Sequence, residues 1–122
     1  MTQSQERRTA PRIVHEVPVT IRHPEGEFVV QTKNLSTSGA YCVFKRFVPP
    51  MTKLEIHLQI PANPHAKSIA CQGVVVRVDP PHADPNRRHY DVAIFFSDIQ
   101  PAERASLTAY IQQHLQPTSS RG

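Results

Sequence analysis

Arginines at positions 7, 8 and 12 put three guanidiniums within six residues, in Arg7-Arg8-Thr9-Ala10-Pro11-Arg12. Each guanidinium presents five donors in a rigid planar fork and stays charged at any working pH. That fork matches a phosphate, or the O6/N7 edge of a guanine, two hydrogen bonds at a time. Pro11 fixes its own φ and pushes Ala10 toward extended geometry, so the segment reads as an extended arm and not as a helix. In an extended arm, Arg8 and Arg12 stand about 13 Å apart, enough to grip two ends of one anion. Alone, the cluster reads more readily as a solvated basic terminus.

A second polar stretch, Asn34-Leu35-Ser36-Thr37-Ser38-Gly39, lies between two strand-like runs. Its Asn and Ser side chains suit local turn hydrogen bonds, and Gly39 permits positive φ or close backbone approach. Taken alone, it is an ordinary connection between strands. Together, Arg8-x-x-x-Arg12 and Asn34-x-Ser36-x-x-Gly39 resemble the paired motif of PilZ domains, bacterial receptors for cyclic di-GMP. The resemblance covers roughly residues 7 to 115. It implies that Arg8 and Arg12 make the main phosphate and guanine contacts, and that Arg7 reaches a second ligand molecule of an intercalated pair. It further implies that Asn34 meets a guanine edge, that Ser36 hydrogen-bonds ligand from the turn, and that Gly39 admits the backbone or holds the turn. Arg77, after the strand glycine Gly73, occupies a place where many relatives carry a basic residue, which implies a ligand contact; a solvated strand arginine is an equal reading. In two places the chain departs from the family pattern: Ala93 stands where relatives commonly have glycine, and the loop from Pro80 to Arg88 is long and rich in proline.

The elements that must position these residues follow from hydrophobic period. Residues 1–6 are polar and aperiodic, which predicts a disordered tail. Ile13 to Arg22 predicts a strand with Ile13, Val17, Val19 and Ile21 on one face; His15 falls on that face too. His23-Pro24-Glu25-Gly26 is a turn by composition, leading to a second strand over Glu27 to Lys33 and a third over Ala40 to Lys45. Leu54, Ile56, Leu58 and Ile60 alternate with polar residues in a fourth strand. Ser68 to Asp79 predicts a fifth, with Val74, Val76 and Val78 on one face and Gly73, Val75 and Arg77 on the other; Gly73 signals a bulge or a close backbone approach. Tyr90 to Phe96 is the sixth. Leu107, Ile111 and Leu115, with Tyr110 alongside, then repeat at helical spacing over 101–115, with Pro101 in the first turn and Ser97 or Asp98 as cap. Six strands and a trailing helix predict a mainly β fold, a six-stranded antiparallel barrel with a C-terminal α-helix, as the resemblance also implies. The expected layout is a tail (1–6), an arginine arm (7–12), a barrel (13–96), a helix (101–115) and a second tail (116–122).

At 122 residues with 39% apolar content the chain suits one core. The formal charge of +4 favours an anionic partner. No run approaches the length of a membrane helix and no apolar leader is visible, which predicts a cytoplasmic protein without membrane insertion. Cys42 and Cys71 have no metal-ligand spacing and read as small buried apolar residues. The seven histidines are scattered, and no nucleophile is paired with a base, so neither a metal site nor an enzyme is expected. The functional expectation is a cyclic di-GMP receptor without cofactors that relays its signal to a partner protein. Two alternatives stand beside it. One is a PilZ-like adaptor without ligand binding. The other is a basic barrel for single-stranded nucleic acid, which requires aromatic side chains spaced along one face; the phenylalanines here fall mostly at expected core positions.

Overall fold

The computed structural model describes residues 13–14, 16–24, 26–60 and 67–114. Six strands, β1 (Pro18–His23), β2 (Gly26–Leu35), β3 (Gly39–Phe44), β4 (Lys53–Ile60), β5 (Lys67–Asp79) and β6 (Tyr90–Asp98), precede one helix, α1 (Pro101–Gln113). Every pairing is antiparallel. The order β1-β2-β3-β6-β5-β4 closes into a barrel through β1 and β4, as expected from the strand count. Closure pairs each of the six strands with a neighbour on both sides, so none is an edge strand.

Alternation sets which side chains fill the interior. In β4, Leu54, Ile56, Leu58 and Ile60 point inward while Lys53 and Glu55 remain exposed. Ala40, Cys42 and Phe44 of β3 meet Tyr90, Val92, Ile94 and Phe96 of β6 in the same core. At about 25 cal/mol per Å² of apolar surface removed from water, this shared interior is the main source of stability. Both cysteines are free and buried, and desolvation pushes each thiol up to about 12. They act as small apolar core groups.

Three local readings are corrected. The first strand is shorter than the pattern Ile13–Arg22: β1 begins at Pro18, and Ile13 makes an isolated bridge to Leu35. Ile13, Val17, Val19 and Ile21 are nevertheless all buried; His15 lies outside the described residues. The faces of β5 also differ from strict alternation. The register against β6 slips between Val75 and Arg77, so Val76 and Arg77 are both exposed and Val78 returns to the core beside Val75. A bulge sets two residues against one and resets the alternation, which a period-two reading cannot anticipate. Finally, the cap of α1 is Gln100, which makes no side-chain cap hydrogen bond. Ser97 and Asp98 are still part of β6, and Pro101, which has no N–H to satisfy, begins the helix. Leu107, Tyr110 and Ile111 are its buried residues; Leu115 lies outside the described residues.

Candidate functional site

The Asn34–Gly39 stretch runs from the end of β2 into β3 and is held from three sides. Within the turn, the Ser36 N–H donates to the Gly39 carbonyl (2.9 Å), and Ser36 Oγ accepts from the N–H groups of Ser38 (3.1 Å) and Gly39 (3.2 Å). The same hydroxyl lies 3.1 Å from Ser38 Oγ and 3.3 Å from the Gly39 carbonyl. Ser36 has no solvent exposure. In this conformation its hydroxyl builds the turn, where the sequence motif suggested a direct ligand contact. From β6, the Phe96 N–H donates to the Ser38 carbonyl (2.9 Å). From α1, Arg104 Nη1 donates to the Thr37 carbonyl (3.1 Å), while Glu103 accepts from the Ala70 N–H on β5 (3.3 Å). The first turn of the helix thereby ties the motif to β5, two strands away across β6.

Gly39 is present for close approach. Its partner across the β3–β6 ladder is Phe95, and a Cβ at Gly39 would run into the Ile94 carbonyl oxygen. Gly73 behaves similarly: a Cβ there would come within 2.5 Å of Ile56 Cδ1 and 2.8 Å of Ile94 Cγ2, at a second register slip of β5. Both possibilities raised for Gly73 therefore hold at once.

The register sets four residues in a row across the outer wall. Asn34 on β2 opposes Tyr41 on β3, Tyr41 opposes Ala93 on β6, and Ala93 opposes Arg77 on β5. Strand spacing puts the ends of this row about 14 Å apart. Ala93 lies in its middle, so the residue replacing the family's usual glycine adds one methyl to this surface. The β2 end also carries a bulge, between Thr32 and Asn34, which sets Asn34 beside Tyr41 while Thr32 stays in the core, its Oγ1 accepting from the Val17 N–H (3.0 Å). Arg77 Nη2 donates to the Tyr41 hydroxyl (2.8 Å), which aims the guanidinium back over the row. Sequence reasoning missed Tyr41. Its only signal is alternation in β3, which turns position 41 outward; its pairing with Arg77 appears only in the folded register.

The bridge of Ile13 to Leu35 joins the chain's N-terminal side to this face. Ile13 and Leu35 exchange both backbone hydrogen bonds at 2.9 Å. Leu35 stands between Asn34 and Ser36 of the motif, and Arg12 is the residue covalently preceding Ile13. Arg7, Arg8 and Arg12 themselves lie outside the described residues.

Among the described residues no group of three His, Cys, Asp or Glu could hold a metal ion. No helix among them is long and apolar enough to cross a membrane. Phe44 and Phe96 are buried, Phe28 and Phe47 pack against the core, and Phe95 is exposed, so the phenylalanines do not form the spaced outer row that base stacking requires.

A closed six-stranded antiparallel barrel with one trailing helix, carrying an outward polar row beside a helix-braced turn, is the architecture to be matched. The family model of the PilZ domain matches residues 6–113, and the chain belongs to this family, a family of cyclic di-GMP receptors with regulatory and not enzymatic roles. Three solved structures share the fold. The inhibitor of motility MotI/DgrA from Bacillus subtilis is 22% identical with a TM-score of 0.74, covering 87% of this chain and 50% of its own. The chain thus spans half the length of that protein. The PilZ domain of YcgR from Escherichia coli, solved with c-di-GMP, is 11% identical with a TM-score of 0.66, covering 88% of this chain and 91% of its own. The PilZ domain of CeSA from a cellulose-synthesizing bacterium is 17% identical with a TM-score of 0.53, covering 84% and 96%. No curated protein matches the sequence.

Proposed function

We propose that this chain is a cytoplasmic receptor that binds cyclic di-GMP between its arginine arm and the row Asn34–Tyr41–Ala93–Arg77, and that it relays occupancy to a partner protein. The observation that carries this reading is the Ile13–Leu35 bridge. It tethers the chain one residue after Arg12 to the centre of the Asn34–Gly39 motif. An extended chain spans at most about 3.6 Å per residue, so the row is within the possible reach of Arg12, one residue from the bridge, and of Arg8, five residues from it.

The chemistry divides among the groups. Cyclic di-GMP brings two phosphates and two guanine edges in one compact ring. Arg8 and Arg12 supply forked cations for phosphate and for the O6/N7 edge, and their planes stack on purines. Arg7 reaches a second ligand molecule. Asn34 meets a guanine edge, and Arg77, steadied by Tyr41, closes the far end of the row. Ser36 and Gly39 act as the rigid base of the site, holding the turn so that Asn34 is presented at a fixed height. A preorganised wall lowers the ordering cost of binding, which leaves the arm as the part that closes on the ligand. No reacting group is required of the protein.

Calorimetric titration of point variants tests the assignment. Arg8→Ala and Arg12→Ala each remove a charge-assisted fork of about 1.5–3 kcal/mol and should weaken binding tenfold or more. Arg87→Ala, in the distant loop, should leave affinity within about twofold. Equal losses in all three would mean diffuse electrostatic attraction and would sink the proposed site.

A further inference from the structure

At the end of the barrel opposite the motif turn, the loop between β5 and β6 has its own architecture. The Tyr90 hydroxyl donates to the Asp84 carbonyl (3.0 Å) and accepts from the Asp84 N–H (2.9 Å). Asp84 in turn takes the N–H groups of Asn86 on its carboxylate (2.9 Å) and of Arg87 on its carbonyl (2.9 Å). The Tyr90 ring is buried and meets Phe47 edge-on at 5.8 Å, so the loop is pinned to the core through one side chain. Pro80, Pro81 and Pro85 remove further backbone freedom.

This pinned loop and the end of β3 enclose a cleft of about 620 Å³ lined by Lys45, Pro85, Asn86, Arg87, Arg88 and His89. Three permanent cations and an imidazole therefore converge, and no carboxylate belongs to the lining. Among the described residues, Lys45, Arg87 and Arg88 take part in none of the ion pairs Arg22–Glu27, Arg22–Glu55, Lys33–Asp91 and His57–Glu55. Like charges gathered on a stiff loop repel one another, and an anion relieves that repulsion. The cleft is separate from the nucleotide row: Gly39 opposes Phe95 at one end of the β3–β6 ladder and Phe44 opposes Tyr90 at the other. The row crosses this ladder at Tyr41–Ala93, so Lys45 lies about 13 Å along the strand from it.

We infer that this cleft docks an acidic segment of a protein partner, with side-chain carboxylates of consecutive Asp or Glu residues seated among Lys45, Arg87 and Arg88. Carboxylates suit the forks of Arg87 and Arg88 bidentately. A nucleic acid suits the cleft less well, because no Phe, Tyr or Trp ring lines it for bases to stack on. The docking role rests on the relay proposed above; the cleft's preference for carboxylates does not.

Fluorescence anisotropy of a labelled hexaglutamate peptide against the full chain at low ionic strength measures the preference. Hexaglutamine and an oligothymidylate of equal charge serve as comparisons. The Arg87→Ala/Arg88→Ala double variant should weaken hexaglutamate binding by about tenfold or more. Lys53→Ala, which removes an exposed cation of β4 outside the cleft, should change it by less than about twofold, and hexaglutamine should not bind. Equal losses in the double variant and in Lys53→Ala, or tighter binding of oligothymidylate than of hexaglutamate, would overturn the inference. Calorimetry with cyclic di-GMP on the same double variant keeps the two sites apart. Retained nucleotide affinity with lost peptide affinity supports a separate cleft, and joint loss of both overturns it. Failure of the wild-type chain to bind cyclic di-GMP while the peptide result holds would remove the receptor reading and leave the carboxylate site standing.

Discussion

Replacing Gly39 with alanine probes how rigidly the motif turn is built. A Cβ at this position collides with a backbone atom, the Ile94 carbonyl oxygen, and its next neighbours, Ile94 C and Phe95 Cα, are backbone as well. None of these can rotate away, so β3 and β6 must separate locally. Overpacking of this kind costs about 1–3 kcal/mol. Separation also strains the hydrogen bonds that converge here, Phe96 N–H to Ser38 O and Ser36 N–H to Gly39 O, and losing one of the two adds about 1 kcal/mol. The total is about 2–4 kcal/mol. Gly73→Ala is the matched control, since the unfolded-state gain of glycine to alanine is common to both. Its closest neighbours are side-chain methyls, Ile56 Cδ1 and Ile94 Cγ2, with one carbonyl, that of Phe95, at 3.2 Å. Rotamer adjustment should hold its cost to about 1–2 kcal/mol. Denaturant unfolding followed by circular dichroism gives both values if the slope is unchanged. At about 4 °C per kcal/mol for a domain of this size, the melting temperature should drop about 8–16 °C for Gly39→Ala and 4–8 °C for Gly73→Ala. A loss at Gly39 no larger than at Gly73 would show that the turn yields easily and is no rigid base for a site.

Two further variants isolate single features. Met51 sits at φ 74°, held where its N–H meets the Val75 carbonyl (2.6 Å), and its side chain is 76% exposed. Met51→Asn should stabilise the fold by about 0.5–1 kcal/mol in thermal melts, because asparagine tolerates the left-handed region and little buried surface is lost; destabilisation would mean that the methionine side chain makes a contact worth more than the strain. Tyr41→Phe removes the oxygen that steadies Arg77. Because the pair is exposed, stability should stay within about 0.5 kcal/mol, while cyclic di-GMP affinity should drop about three- to tenfold by calorimetry. Unchanged affinity would take Arg77 out of the site.

What the sequence made legible, and what it hid, follows from the range of the interactions. β4 could be read because Leu54, Ile56, Leu58 and Ile60 alternate without interruption and all point inward. β5 could not be read fully, because Val74, Val75, Val76 and Val78 are chemically alike and only pairing with β6 decides where the bulge falls. The same cause hid the Tyr41–Arg77 contact, which joins residues far apart in the chain through β6. Gly39 was legible as a special position, though only the ladder shows that it serves approach to Ile94 and not positive φ. Ser36 carried the motif by its type, but its burial depends on the three-dimensional turn. The loop cleft escaped because Lys45 and Arg87 converge through the Phe44–Tyr90 pairing, and a run of prolines and arginines looks the same in sequence whether it is pinned or solvated.

Recognition of guanine as well as of phosphate is decided by calorimetric titration of the wild-type chain with cyclic di-GMP and cyclic di-AMP side by side. The two ligands share their phosphates and ring, but adenine replaces the O6 acceptor with an amino donor that faces arginine's own donors. Saturable binding of cyclic di-GMP, at least about thirtyfold tighter than cyclic di-AMP if each of two bidentate guanine contacts contributes about 1–3 kcal/mol of discrimination, is the predicted result. Comparable affinities for the two ligands, or no heat with cyclic di-GMP, would contradict it.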